Sequence, residues 1–255
     1  MRVAAYQFLI SNNISKNVDA IENALSDAKE HKAELVVFAE CCLTGYPSRD
    51  IDHSSDVDFE GVEEACYRLQ NIAKKLGISF LIGTAYKESE SVYNRVLLFQ
   101  PTEMQVIYDK RALWGWDRDN FSIGNRAGIF EFNGIRIGVR ICYEVRFPEY
   151  FRELYRKGTD LNIIMFYDVA DVDDKERYSM IKGHIQTRAV ENICTTISVN
   201  AIAPFQTAPT AIFGPSGQIY EECPRNCPGS IIYDFEKQSL NFGELGRKEL
   251  SDLLI

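Results

Sequence analysis

A chain of 255 residues with 45% hydrophobic and 12% aromatic content has enough apolar side chains for a full core, which excludes disorder, a collagen-like repeat and a disulfide-held miniprotein. Its 28 Lys and Arg against 37 Asp and Glu leave a net charge of −9. That balance argues against a nucleic-acid partner, because such partners are held mainly by clustered cations.

Short apolar runs and amphipathic stretches alternate up to about Asn200, the mark of strands and helices interleaved in an α/β domain. Residues 3–8 read as the opening strand, and 15–31 as a helix whose Val18, Ile21, Leu25 and Ala28 share one face. Residues 35–38 read as a buried strand. A second helix over 59–76 is stopped by Gly77, which suits the left-handed position after a helix, and a strand follows at 78–85. Strands at 93–99 and 105–109 pair as a meander around the turn Pro101-Thr102-Glu103. Asn133-Gly134 is a hairpin signal joining 128–132 to 135–141. Beyond it the pattern predicts a helix over 148–157, a strand at 161–166, a long helix over 175–192 and a strand at 194–200. Pro and Gly then punctuate short strands at 210–213, 218–220 and 230–234. With no linker, repeat or low-complexity segment, residues 1–255 are expected to form a single domain, in which helices cover mixed sheets as a helix-sheet-sheet-helix sandwich.

No apolar run approaches the roughly 20 residues that span a bilayer, and the first residues lack the pattern of a signal peptide, so a soluble, cytoplasmic chain with no membrane partner is expected. Seven scattered cysteines, an odd number, suit reduced thiols better than a disulfide framework. Neither of the usual glycine-rich phosphate loops is present, which removes the main support for nucleotide binding.

Three polar residues sit where a strand stops: Glu40, Lys110 and Cys142. Strand ends are where α/β folds build sites. Each also has a plain reading, the Cys as a small buried hydrophobe and the Glu and Lys as solvated side chains. Cys142 is followed by Tyr143-Glu144-Val145-Arg146-Phe147-Pro148-Glu149, a sharp stop with Pro placed to open the next helix. Such an elbow exposes the sulfur and turns backbone N–H groups toward whatever it attacks. Glu40 is followed by Cys41-Cys42-Leu43-Thr44-Gly45-Tyr46-Pro47, a loop expected to leave the carboxylate at the lip of a cleft.

Other constellations are weaker. Of the three histidines, His184 is the most plausible partner for Cys142, and its place four residues before Arg188 on one helix suits a structural or cleft-lining role better. Cys223-Pro224-Arg225-Asn226-Cys227 lacks a second ligand pair at zinc spacing and reads as a surface loop. Asp168, Asp171, Asp173 and Asp174 lack the Gly and terminal Glu of a calcium loop and read as a solvated segment beside the cleft. Arg146 has two readings, an ion pair with Glu149 that holds the elbow or a bidentate contact to a substrate carboxylate, with the first preferred.

Five blocks in one order carry a resemblance over nearly the whole chain. They are Phe38-Ala39-Glu40-Cys41-Cys42-Leu43-Thr44-Gly45-Tyr46, Tyr108-Asp109-Lys110 with Leu113, the run from Gly138 to Glu149 around Cys142, Arg188-Ala189-Val190-Glu191-Asn192, and Gly214-Pro215-Ser216-Gly217. Together they resemble the nitrilase superfamily of carbon-nitrogen hydrolases, and the resemblance implies a four-layer αββα sandwich with a Glu-Lys-Cys triad. It implies Cys142 as nucleophile, Glu40 as general base and acid, and Lys110 as the cation facing the oxyanion, helped by the Tyr143 backbone N–H. The implied reaction is hydrolysis of a small amide through a thioester, releasing ammonia or an amine and a carboxylic acid, with nitriles and N-carbamoyl compounds as variants. No metal or other cofactor is implied. Many members place a second Glu where this chain has Asp117, and a His where it has Ala112. Asp117 is therefore expected beside Lys110 and Cys142, with Trp114 or Trp116 filling the space its shorter side chain leaves, and Tyr46, Trp114, Tyr143 and Arg146 are candidate substrate contacts. A homodimer or larger assembly is expected through the helix after Cys142, where Tyr150, Phe151, Leu154 and Tyr155 exceed what one buried face needs, and through the helix ending near Asn192. The competing reading is a metal-dependent phosphoesterase of αββα architecture, for which three histidines are few.

Overall fold

The computed structural model describes residues 1–237 and 239–254. One sheet contains β1 (Arg2–Gln7), β2 (Leu35–Val37), β3 (Ser79–Glu88), β4 (Ser91–Phe99), β5 (Met104–Asp109) and the late strand β14 (Gly229–Asp234), in the order β14-β1-β2-β3-β4-β5. The second contains β6 (Ile129–Phe132), β7 (Ile135–Ile141), β8 (Leu161–Phe166), β10 (Thr195–Asn200), β12 (Ala211–Phe213) and β13 (Ile219–Glu222), in the order β13-β12-β10-β8-β7-β6. Two short strands, β9 (Val169–Ala170) and β11 (Phe205–Gln206), pair on their own. The helices are α1 (Ile14–Glu30), α2 (Phe59–Leu76), α3 (Trp116–Asn120), α4 (Pro148–Arg156), α5 (Lys175–Glu191) and α6 (Phe242–Leu253).

The layers follow from side-chain alternation. On β8, Ile163 and Met165 join the core between the sheets, whereas Ile164 and Phe166 pack with Phe151 of α4 and Ile181 and Ile185 of α5. A strand buried on both faces reads as a continuous apolar run, as this one does. α1 buries Val18, Ile21, Leu25 and Ala28, the face its periodicity predicts. This is the helix-sheet-sheet-helix sandwich expected from the sequence.

Local signals hold at the turns. Gly77 ends α2 with φ +61°, the left-handed geometry that glycine adopts without strain. Asn133 and Gly134 have φ +49° and +75°, the pair of positive angles that a two-residue hairpin of matching twist requires.

Three features lie outside the sequence reading. β14 returns to pair antiparallel with β1, Arg2 opposite Asp234, a contact across almost the whole chain that no local pattern encodes. α6 was not anticipated, because Phe242, Leu250 and Leu253 are exposed and blur its periodicity. Its Asp252 accepts a 2.6 Å hydrogen bond from Tyr155 of α4, and Tyr150 lies under the Arg111 guanidinium, 4.9 Å from ring centroid to carbon. Phe151 and Leu154 are buried beneath α5, so the apolar and aromatic excess read on α4 is taken up within the chain. The third feature, α3, brings Asp117 to the site. No described helix is long and apolar enough to cross a membrane.

Candidate active site

β2 of one sheet and β7 of the other are parallel to their central neighbours, and Glu40 and Cys142 follow their C-terminal ends. β5 delivers Lys110 to the same place. The residue after β7, Cys142, has φ +43°, a left-handed conformation uncommon for a side chain with a Cβ. It opens a 3₁₀ turn, Cys142–Arg146, whose first N–H groups have no partner within the turn. Glu144 holds this elbow from below. Its buried carboxylate accepts from Ile141 N and Arg111 N, both at 2.8 Å, and from Tyr108 Oη at 2.7 Å. The segments carrying Lys110 and Cys142 are thereby tied to one anion.

Glu40 is buried rather than at a lip. Its Oε1 accepts from Lys110 Nζ and Asn94 Nδ2, each at 2.7 Å, and its Oε2 from Tyr167 N at 2.8 Å. The backbone is pressed onto β3: a Cβ on Gly83 would lie 2.6 Å from Cys41 N and 2.7 Å from Glu40 Cα. This close approach draws the carboxylate inward. Lys110 is also buried, and a second carboxylate meets it, Asp117 Oδ2 at 2.8 Å. Asp117 Oδ1 in turn accepts from Tyr46 Oη at 2.5 Å.

Burial dominates the electrostatics. It pushes the Glu40 carboxyl above the usual range against the pull of Lys110, and the Asp117 charge adds to the rise. Burial alone would push the Lys110 ammonium down, but Glu40 and Asp117 outweigh it and hold the ammonium well above its ordinary value. The Cys142 thiol is pushed well up by burial and by the Glu40 carboxylate, with Lys110 acting the other way. The upward shifts favour the neutral thiol at Cys142 and the ammonium at Lys110, and such a thiol gains its reactivity by handing its proton to a neighbouring base.

The structure thus brings Glu40, Lys110, Asp117, Cys142 and Tyr46 together. Trp114 and Trp116 do not fill the space beside Asp117: both are exposed, at 59% and 51%, and Trp114 lies against Arg118 instead. α3 carries Asp117, whose Oδ2 lies 2.8 Å from Lys110 Nζ. Arg146 makes no ion pair with Glu149, as the described residues show, and its guanidinium carbon stands 5.3 Å from the Tyr143 ring centroid. His184 sits on α5 where burial, with Arg188 and Arg146, keeps its imidazole below the ordinary range. Asp168 is buried and ion-paired with Arg177, not solvated as the acidic run suggested. Its run is broken into separate partnerships: Asp171 with Arg49, Asp173 with Arg225, and Asp174 as the cap of α5.

Sequence reading missed Asn94, Tyr167, Gly83 and Glu144. Asn94 left one signal, an amide that opens the buried stretch 94–99 of its strand. Tyr167 acts through its backbone N–H, which no side chain advertises.

The family described as carbon-nitrogen hydrolase matches residues 2–241. Among curated proteins, 2-oxoglutaramate amidase from Bacillus subtilis is 28% identical over 204 residues, covering 78% of this chain and 75% of the relative. An omega-amidase from Xenopus tropicalis is 28% identical over 173 residues, covering 63% and 61%. Among solved structures, a mutant of the amidase from Nesterenkonia sp. AN1, with the acetamide moiety of fluoroacetamide added covalently at the active site cysteine, superimposes with a TM-score of 0.83 at 25% identity over 100% of this chain and 97% of that one.

Proposed function

The chain belongs to the carbon-nitrogen hydrolase family, and on that premise we propose that it hydrolyses a small amide through a thioester on Cys142, with Glu40 as general base and acid and Lys110 as the cation that meets the oxyanion. The observation that carries this reading is one buried ammonium held between two carboxylates, 2.7 Å from Glu40 and 2.8 Å from Asp117, within Coulomb reach of a cysteine on a positive-φ elbow.

The steps follow from the protonation states. Glu40 takes the thiol proton as the sulfur attacks the amide carbon. The oxygen gains the negative charge, and Lys110 with the Tyr143 N–H at the open end of the 3₁₀ turn stabilises it. Glu40, now a carboxylic acid, gives its proton to the leaving nitrogen, which departs as ammonia or an amine. Water then attacks the thioester while Glu40 takes its proton, and the same proton returns to sulfur as the carboxylic acid leaves. Asp117 touches the ammonium throughout and keeps Lys110 aimed while Glu40 changes charge. Tyr46, joined to Asp117, lines the same pocket. Family membership sets aside the phosphoesterase alternative. From family membership alone, since the α4 aromatics are taken up within the chain, we also propose a homodimer or larger assembly through α4 and the end of α5; light scattering at twice 29.1 kDa or more supports this, and a monomer refutes it.

The central test is a trapped intermediate. Incubation with a slowly hydrolysed amide, followed by intact mass measurement, should show an acyl adduct on the wild type that is absent from Cys142→Ala. That variant should fold and lose ammonia release by at least ~10³-fold. Turnover in it at wild-type rates would sink the cysteine mechanism.

A further inference from the structure

The segment after β8 carries a charged pair that the hydrolytic steps do not use. Tyr167 donates its N–H to Glu40, and the next residue, Asp168, is buried. Its Oδ1 accepts from Thr207 Oγ1 at 2.5 Å and from Arg177 Nε at 3.0 Å, while Arg177 Nη2 spans Oδ1 and Oδ2 at 2.9 and 3.1 Å. The backbone of Asp168 is pinned as well, its N–H donating to Asn200 Oδ1 at 2.9 Å and its C=O accepting from Asn200 Nδ2 at 2.8 Å. A carboxylate fixed at so many points fixes the plane of the guanidinium it holds.

That guanidinium is held by one edge only. The Arg177 side chain is 41% exposed, and among the described residues its Nη1 has no hydrogen-bond partner. Arg177 is linked to the site by contacts: it binds Asp168, and the preceding residue, Tyr167, donates its N–H to Glu40. The neighbouring carboxylates do not compete for the open edge, because Asp171 is paired with Arg49 at 2.8 Å, Asp173 with Arg225, and Asp174 accepts the Arg177 backbone N–H at 2.8 Å.

We propose that Arg177 is a specificity-determining residue that receives a carboxylate of the substrate, at the end remote from the C–N bond that breaks. The inference rests on the amide-hydrolase reading of Cys142 and adds a substrate class to it. A guanidinium presents donors in a rigid fork that matches a carboxylate with two hydrogen bonds, and a fixed counter-ion behind it removes the cost of orienting that fork. A cationic substrate group finds no acceptor here, since both Asp168 oxygens are occupied and lie behind the arginine.

The test compares succinamate with butyramide, which differ only in carboxylate against methyl. Wild type should favour succinamate in kcat/KM by roughly 30-fold or more, as a site built for a charged group rejects the analogue lacking it. Arg177→Met should shrink that preference at least about 10-fold, mainly through the KM for succinamate, and Arg177→Lys should restore part of it. A wild-type preference for butyramide, an unaltered ratio in Arg177→Met, or equal losses on both amides would overturn the anion subsite while leaving the amidase reading intact. Failure of the wild type to release ammonia from any small amide, these two included, would remove that reading and this inference with it.

Discussion

Asp117 Oδ2 lies 2.8 Å from the Lys110 Nζ, with both groups buried. Asp117 stands in the first turn of α3, which starts at Trp116. Tyr46 holds the other oxygen. A buried ammonium with one carboxylate on each side stays charged and aimed when the first carboxylate takes up a proton.

Asp117→Asn should therefore reduce kcat about 10- to 100-fold, the cost of a charge-assisted hydrogen bond of roughly 1.5–3 kcal/mol. Asp119, exposed on the same turn, provides the control. Steady-state kinetics on the two Asn variants decide the matter: equal and negligible effects would leave Glu40 as the sole working carboxylate.

The pH dependence follows from the direction of two shifts. Activity needs Glu40 ionised and the Cys142 thiol available. Burial, with Asp117 adding to it, raises the Glu40 carboxyl, so the acidic limb of kcat/KM should fall at a pH above the ~4.3 of a free glutamate. Removing the Asp117 charge removes one of the causes that raise Glu40, so in Asp117→Asn the acidic limb should move to lower pH. The alkaline limb should lie beyond the ~8.5 of a free thiol, because Cys142 is pushed up too. An acidic limb that moves upward in the variant would contradict the coupling.

Gly83→Ala tests the close approach that buries Glu40. The new methyl would meet Cys41 N at 2.6 Å and Ala39 O at 2.7 Å, backbone atoms that cannot step aside like the tip of a side chain. A loss of about 1–3 kcal/mol in stability should come with a fall in kcat, as Glu40 is moved off its partners. Gly183→Ala, on the exposed face of α5 with nothing within 4 Å, should instead leave ammonia release unaltered and raise stability by roughly 0.5–1 kcal/mol. Thermal melts and rates on the pair separate the effect of crowding at the site from that of losing a glycine.

Glu144→Gln should lower kcat about 10²-fold with little change in KM, since one amide nitrogen would face N–H donors now received by carboxylate oxygens. A loss of about 2–4 kcal/mol in stability should accompany it, a buried donor left unpaired being costly. A rise in KM alone would reassign Glu144 to a role away from the elbow.

Much of this protein is written locally. Alternation and 3.6-residue periodicity state which face of each element is apolar, and that suffices to place the strands and most helices, the Gly77 stop and the Asn133-Gly134 hairpin. The blocks around Glu40, Lys110 and Cys142 mark them because each ends a strand in an unusual run. Partners are another matter. Glu40 and Lys110 are 70 positions apart, and they meet because β2 and β5 run in the same direction within one sheet and end at the same edge. The sequence by itself determined which residues would stand at the strand ends. Only the tertiary structure decided that Glu40 is buried against Gly83, that Asp117 reaches Lys110 from α3, that Asp168 binds Arg177, and that β14 closes on β1. The physical reason is that a side chain's surroundings are set by packing between elements distant in the chain, whereas periodicity reports only that a face will be covered, not by what.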